Sequence, residues 1–402
     1  MGISEGGGAY RTVGRKQLGH MYNEIISLEN LCLAWEEFIL GKRKKKDVLK
    51  FSYNLMDNIV SLHNDLVNHT YHHGGYESFF VNDPKRRHIH KASVRDRLLH
   101  HAVYRILYPF FERTFIPDSF SCRLNKGTHK AINRFRELAN KVSRNNTATC
   151  WVLKGDIRKF FASIDHDILL NILGRYIPDK EVMGLLENIV ESFCTSAIPP
   201  QRTATPLPAS PKTASRGGRF PLERGKGEPP LLSKEGQQGE VADAVGLPLG
   251  NLTSQLFANV YLNVFDRWVK HRLVVETRHA SSLRVHYIRY ADDFVILSRD
   301  KKHLLSLIPK IQHFLSNQLK LTLHPNKIIL KTLSSGADFL GWVNFPAHRV
   351  LRRTTRRRMF NRLRDNFSLE SLQSYLGLLG HGQTVKIRGE LLLESTWLRA
   401  LD

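Results

Sequence analysis

The chain has 402 residues, 42% of them hydrophobic, enough for two or three domains around a sizeable core. Its 60 lysines and arginines against 37 acids leave a formal charge of +23, which asks for a polyanionic partner, because neutralising phosphates and releasing their counterions is what such a surface does well. No apolar run nears the roughly 20 residues that span a bilayer, no long basic amphipathic helix suits a membrane surface, and Met1-Gly2-Ile3-Ser4-Glu5 lacks the regions of a signal peptide. A cytosolic protein that binds nucleic acid is expected, with no membrane partner. Cys32, Cys122, Cys150 and Cys194 form no C-x-x-C pair, which argues against a zinc ribbon or a disulfide framework.

In chain order, residues 1–20 are Gly-rich and polar and read as a loose leader. Apolar residues at helical spacing predict one helix over 22–40, stopped by Gly41, and a second over 48–68, with the basic run Lys42-Arg43-Lys44-Lys45-Lys46 between them. The stretch 84–91 is basic and strand-like, and Ser93 is placed to cap a helix that carries Arg95 and Arg97 in its first turns and ends at Pro109. His72, His73, His88, His90, His100 and His101 crowd this region, but their spacing matches no known ligand set. A loop with Arg123, Lys126, Gly127 and Thr128 leads into a helix over 130–142.

Next comes a core strand, Trp151-Val152-Leu153-Lys154-Gly155, ending on Asp156. Residues 196–245 are rich in Pro, Gly, Ser and charge without apolar periodicity, and read as a disordered insertion that protrudes without taking part. Order resumes at Gly246, and a helix runs through Leu256, Val260, Val264 and Trp268. Two strand-forming runs, 285–290 and 294–297, then flank Tyr290-Ala291-Asp292-Asp293 as a hairpin with carboxylates at its tip. A helix over 304–315, a strand over 319–323, the turn His324-Pro325-Asn326-Lys327 and a strand pair at 339–343 and 348–351 follow. Arg352, Arg353, Arg356 and Arg357 then fall on one face of a helix without compensating acids, a pattern that suits phosphate contact.

Alone, an Asp at a turn is a turn residue and an Asp at a strand end is a helix cap. Together, Asp156 and Asp292 on neighbouring strands would repel unless cations lay between them, and Mg²⁺ prefers such oxygen ligands completed by phosphate and water. Two such ions would activate a hydroxyl and neutralise a leaving pyrophosphate, which is nucleotidyl transfer. No G-x-x-x-x-G-K-[ST] loop is present, so a P-loop NTPase is not expected, and no nucleophilic Ser or Cys is evident.

The run Asp156-Ile157-Arg158-Lys159-Phe160-Phe161-Ala162-Ser163-Ile164-Asp165-His166, with Tyr290-Ala291-Asp292-Asp293, resembles the two metal-binding motifs of reverse transcriptases. The resemblance continues in order through Ser119-Phe120-Ser121-Cys122-Arg123, Gly127-Thr128-His129, the loop of Gly250 and Ser254, Lys327 and Phe339-Leu340-Gly341-Trp342. It implies an α+β right-hand polymerase: fingers and the first part of an antiparallel palm over 21–195, the second part of the palm over 246–346, and an α-helical thumb over 347–402. Group II intron and retron enzymes typically carry Q-G-x-x-x-S-P, where this chain has Leu249-Gly250-Asn251-Leu252-Thr253-Ser254-Gln255. That loop, Ser27-Leu28-Glu29-Asn30-Leu31 and the stretch from Ile89 to Arg97 look like the reverse transcriptases of diversity-generating retroelements, which copy a template-repeat RNA into cDNA with misincorporation opposite adenine.

Carried over residue by residue, the resemblance makes Asp156, Asp292 and Ile157 the metal-holding set for two Mg²⁺ ions, Mn²⁺ being a substitute, with Asp293 in support. Phe161, beside Phe160, would stack under the sugar of the incoming dNTP. Arg87, Lys91 and Arg97 would hold its triphosphate, and Leu249, Gly250 and Gln255 would line the nascent pair. Lys327 would protonate the leaving pyrophosphate, and Arg123, Lys126, Arg352, Arg353, Arg356 and Arg357 would contact nucleic acid. Partners implied are template-repeat RNA, cDNA, dNTPs and a small basic oligomeric accessory protein. The alternatives are a group II-like or retron-type enzyme and a catalytically silent, maturase-like RNA-binding protein.

Overall fold

The computed structural model describes residues 19, 21–81, 86–194, 245–273 and 285–400, with side chains to 394. The leader, apart from Gly19, and the segment 196–244 lie outside the described residues.

The expected 22–40 helix is two, α1 (Tyr22–Ile26) and α2 (Leu28–Phe38), because the extended Ser27 between them turns its hydroxyl to accept from the Asn30 N–H and cap α2. The 48–68 helix is likewise split, into α3 (Lys46–Tyr53) and α4 (Leu55–Val67), at the non-helical Asn54. The hairpin β1 (Tyr76–Val81) and β2 (Arg87–Ala92) is antiparallel, and Ser93 caps α5 (Val94–Glu112) as expected. This helix runs past Pro109 to Glu112. Phe110 and Phe111 pack edge-on against Tyr176, and their burial outweighs the hydrogen bond that proline removes. After α6 (Thr128–Ser143) come β3 (Trp151–Asp156), a 3₁₀ turn (Phe160–Ser163), α7 (His166–Gly174), α8 (Lys180–Glu191) and α9 (Leu252–Trp268), which a π-helical turn (Val269–Leu273) extends.

β3, β4 (His286–Tyr290), β5 (Asp293–Ser298) and β6 (Ile329–Thr332) make an antiparallel sheet in the order β4-β5-β3-β6. Strands β3, β4 and β5 are largely buried on both sides because both faces are covered, whereas the edge strand β6 is partly exposed. Leu153, Tyr287, Phe294 and Ile296 join a core with α5, α9 and α10 (Lys301–Leu319), while Val152, Ile288, Val295 and Leu297 pack with α6. α9 is buried nearly all round, and its enclosed polar residues Asn259, Asn263 and Asp266 are hydrogen-bonded to neighbouring elements.

The expected strand at 319–323 is absent. Leu319 ends α10, Lys320 turns left-handed with φ 45°, and Leu323 forms a single bridge to Ile157. The run 339–343 is a hairpin, since Leu340 and Gly341, at φ 51° and 86°, turn β7 (Ala337–Phe339) back into β8 (Trp342–Asn344), which pairs on its far side with β9 (Arg349–Leu351). α11 (Arg353–Asp365), α12 (Leu369–Leu379) and α13 (Val385–Ala400) close over the fully buried Trp342. The architecture is α+β with antiparallel sheets, as expected.

Candidate active site

β3 and β5 pair in a register that sets Asp156 opposite Asp293, so the two carboxylates share one face at one end of the sheet. Tyr290 pairs with Asp293, which leaves Ala291 and Asp292 as the hairpin tip, Ala291 at φ 52°, a conformation that side chains rarely adopt. Two lysines hold positive charge against the acids. The 3₁₀ turn Pro325–Lys327, tied to β3 where the His324 N–H donates to the Asp156 carbonyl at 2.8 Å, sets Lys327 Nζ 2.8 Å from Asp156 Oδ1. Lys154, two residues before Asp156 on the same face, reaches diagonally to Asp293 Oδ1 at 3.4 Å. Lys154 was not singled out in the sequence; its signal was a lone cation in an apolar strand.

Burial, then the like charges of Asp293 and Asp156, push the Asp292 carboxyl up to about 6. Burial also raises Asp293, against the pull of Lys154. Carboxylates in this condition gain from a cation. No group of three or more His, Cys, Asp or Glu side chains among the described residues forms a cage that would hold a metal unaided. Mg²⁺ is commonly bound by one or two carboxylates together with substrate phosphates, a ligand set to which Asp156 and Asp292 could contribute. The Ile157 side chain has no ligating atom, so only its main-chain carbonyl can serve such an ion.

The chain on either side of the 196–244 segment is stitched together beside the acids. Gly246 N–H donates to the Ile164 carbonyl at 2.8 Å and Leu247 N–H to the Phe161 carbonyl at 2.7 Å, and two residues on the Leu249 carbonyl accepts from the His90 N–H of β2 at 3.2 Å. One wall thus joins Phe161, Leu249 and Gly250 to β2. Gly250 has φ 129°, a backbone conformation that favours glycine, while a Cβ there would make only ordinary contact, 3.4 Å from the His90 carbonyl and 3.5 Å from Ile89 Cγ2. Arg87 and Lys91 share one face of β2 with Ile89, whose side chain lies nearest Gly250 on this side. Gln255 is half-buried on the first turn of α9, whereas Phe160 is buried in the core and offers no side chain to a substrate.

Of the expected phosphate ligands, Arg87 is exposed and has no acidic partner among the described residues. Lys91 and Arg97 are committed elsewhere: both pair with Asp47, and Lys91 also with Glu77 across the hairpin. Burial opposes them, but these two cations hold the Asp47 carboxyl down to about 2. Arg123 is turned inward, clamping Glu112 and donating to the Ile116 and Ser119 carbonyls at 2.7 Å, with 4% of its side chain exposed; it organises a loop instead of meeting a backbone phosphate. Lys126 is drawn back onto the Pro117 carbonyl at 2.8 Å. The arginine face also has acids that the sequence reading did not allow for: Arg352 pairs with Asp338 and Arg356 with Glu390, while Arg353 and Arg357 are exposed with no acidic partner among the described residues. These partners lie 14 and 34 residues away, beyond any local pattern.

The model of the family "Reverse transcriptase (RNA-dependent DNA polymerase)" matches residues 82–343, well over half of the chain. The chain belongs to the reverse transcriptase family. It is similar to protein YkfC of Escherichia coli, 23% identical over 327 residues that cover 75% of this chain and 72% of that protein. The group II intron-encoded protein LtrA of Lactococcus lactis is 24% identical over 276 residues, 65% of this chain and 45% of LtrA. Nuclear intron maturase 1 of Arabidopsis thaliana is 31% identical over 94 residues, 23% of this chain and 12% of that protein. The chain thus spans less than half the length of these two intron relatives. Reverse transcriptases generally use divalent metal ions, in keeping with the acidic strand end. No helix among the described residues is long and apolar enough to cross a membrane.

Proposed function

We propose that the chain is an RNA-directed DNA polymerase of a diversity-generating retroelement, copying template-repeat RNA into cDNA with errors opposite adenine. What carries the polymerase reading is the register that sets Asp156 opposite Asp293 with Asp292 at the adjoining tip and Lys327 on Asp156. In this reading the four-stranded sheet is the palm, the elements up to β2 and α5 are fingers, and α11 to α13 are a thumb. Asp156, Asp292 and the Ile157 main chain would hold two Mg²⁺ ions, which Mn²⁺ can replace; when bound, they lower the pKa of a primer hydroxyl and neutralise pyrophosphate. Asp293, kept by Lys154, supports Asp292. Lys327 gives up a proton to the departing pyrophosphate, Arg87 holds the triphosphate, and Phe161 packs under the sugar. A small basic oligomeric accessory protein is the further partner this class implies.

The retroelement assignment rests on Leu249 and Gln255. Where other members have a Gln able to hydrogen-bond near the nucleotide, Leu249 offers only bulk, so a mispaired geometry leaves no buried polar group unsatisfied and is rejected less strongly. What supports this reading is that Leu249 is half-buried and joined to β2 through its carbonyl. Leu249→Gln is expected to lower misincorporation opposite template adenine, read by sequencing cDNA from both proteins. An unchanged error spectrum would sink the assignment. The second reading, a group II intron-like reverse transcriptase, is favoured by the similarity to LtrA and predicts no adenine bias in the wild-type product.

A further inference from the structure

Behind the acidic tip lies a buried charge pair that the chemistry above does not use. Arg289, one residue before Tyr290, has 1% of its side chain exposed, and Asp266 on α9 has none. Arg289 Nε and Nη2 donate to the two Asp266 oxygens at 2.7 Å each, and the Tyr287 hydroxyl donates to Asp266 Oδ1 at 2.6 Å. The remaining guanidinium hydrogens reach Ser119 Oγ at 3.0 Å, Asn259 Oδ1 at 3.4 Å and the Ala291 carbonyl at 2.9 Å. The backbone is anchored as well, Arg289 N–H donating to the Asp118 carbonyl at 2.9 Å and Phe120 N–H to the Arg289 carbonyl at 3.0 Å.

A buried ion pair is weak grounds for stability, since apolar residues of similar volume often serve as well. Five donors in a planar fork, all satisfied, do something else: they define a direction. One prong of the fork ends on the carbonyl of Ala291, the residue at φ 52° whose conformation aims Asp292. Strained backbone of this kind persists only where its surroundings over-determine it, and here the surroundings are α9 and the loop at 118–120, acting through one side chain.

We propose that Arg289, anchored by Asp266, is a positioning residue that holds Ala291 left-handed and so fixes Asp292 relative to Asp156. This rests on the reading of those acids as the metal-holding set. The guanidinium touches neither substrate nor ion; it acts through a main-chain carbonyl.

Three variants test this: Arg289→Lys, Ala291→Gly and the two together, each measured for kcat and KM in dTTP incorporation, for melting temperature, and for Mn²⁺ binding by electron paramagnetic resonance. Lysine keeps the charge but cannot span Asp266 and Ala291 at once. Arg289→Lys should lower kcat about tenfold or more with KM within about twofold, and weaken Mn²⁺ binding several-fold. Glycine adopts the left-handed conformation freely, so in the Ala291→Gly background the same Arg289→Lys change should cost at least about threefold less. A purely structural Arg289 would instead give equal losses in both backgrounds, which would overturn the proposal. If Arg289→Lys does not fold, Arg289→Met with Asp266→Leu removes both charges without stranding either. Near wild-type kcat and Mn²⁺ affinity in that variant would also overturn it. A wild-type chain that binds no Mn²⁺ and incorporates nothing would remove the active-site reading first, whereas a wild-type chain that does both while the variants match it would remove the positioning role alone.

Discussion

At the scale of the residue, Asp292 is destabilising as a folded-state group. Burial and the neighbouring Asp293 and Asp156 push its carboxyl up to about 6, above the ordinary value of 3.8, so the folded chain binds that proton more tightly than the unfolded chain does. Stability from this group is therefore fully present below the unfolded value and is lost as pH rises through about 6. Asp292→Asn should raise the melting temperature by about 2–4 °C at pH 7.5 in chelator and leave it unchanged near pH 4, while abolishing incorporation. A lower melting temperature at pH 7.5 would contradict this. Asp156, Asp292 and Lys327 were legible because short local motifs carry them. The ion pairs of Lys91, Arg97 and Arg123 were not legible because their partners, Asp47 and Glu112, come from other elements, and a basic residue in a sequence does not announce whether its charge is already taken. Arg289 lies inside a strand-forming run, and a charge inside a buried strand is itself a signal of a buried partner.

At the scale of the element, the acidic hairpin, the capped helix after Ser93 and the helix after Gly250 were readable from alternation, capping and periodicity. The breaks at Ser27 and Asn54 were not, because apolar periodicity runs on across a cap that only a single hydroxyl or a non-helical backbone marks. Gly155 shows what the elements demand of each other. It faces Phe294 across β3 and β5, and a Cβ there would sit 2.3 Å from the ring's Cζ. Gly155→Ala should cost about 1–3 kcal/mol in chemical denaturation by forcing that ring aside next to Asp156, and Phe294→Leu should recover part of it. An unchanged midpoint would mean that the strands do not pair in this register.

At the scale of the whole molecule, the charge of +23 and the order of motifs pointed to the polymerase class, while the sheet order β4-β5-β3-β6, made from strands far apart in the chain, was beyond local pattern. On the C-terminal helices the charge is not uniform, since Glu390 and Asp338 answer Arg356 and Arg352 but not Arg353 and Arg357. Replacing Arg353 and Arg357 together by Ala should reduce the slope of log affinity against log salt for template–primer by about 1.5–2, and Arg356→Ala should change it less. Equal slopes in all three proteins would remove these helices from the nucleic-acid contact. The central claim, that the acids at this strand end carry out templated DNA synthesis, is tested most directly by Mg²⁺-dependent dTTP incorporation on poly(rA)·oligo(dT). Incorporation by the wild-type chain that falls to background in Asp156→Ala and Asp292→Ala is the predicted result; incorporation that survives either substitution would contradict it.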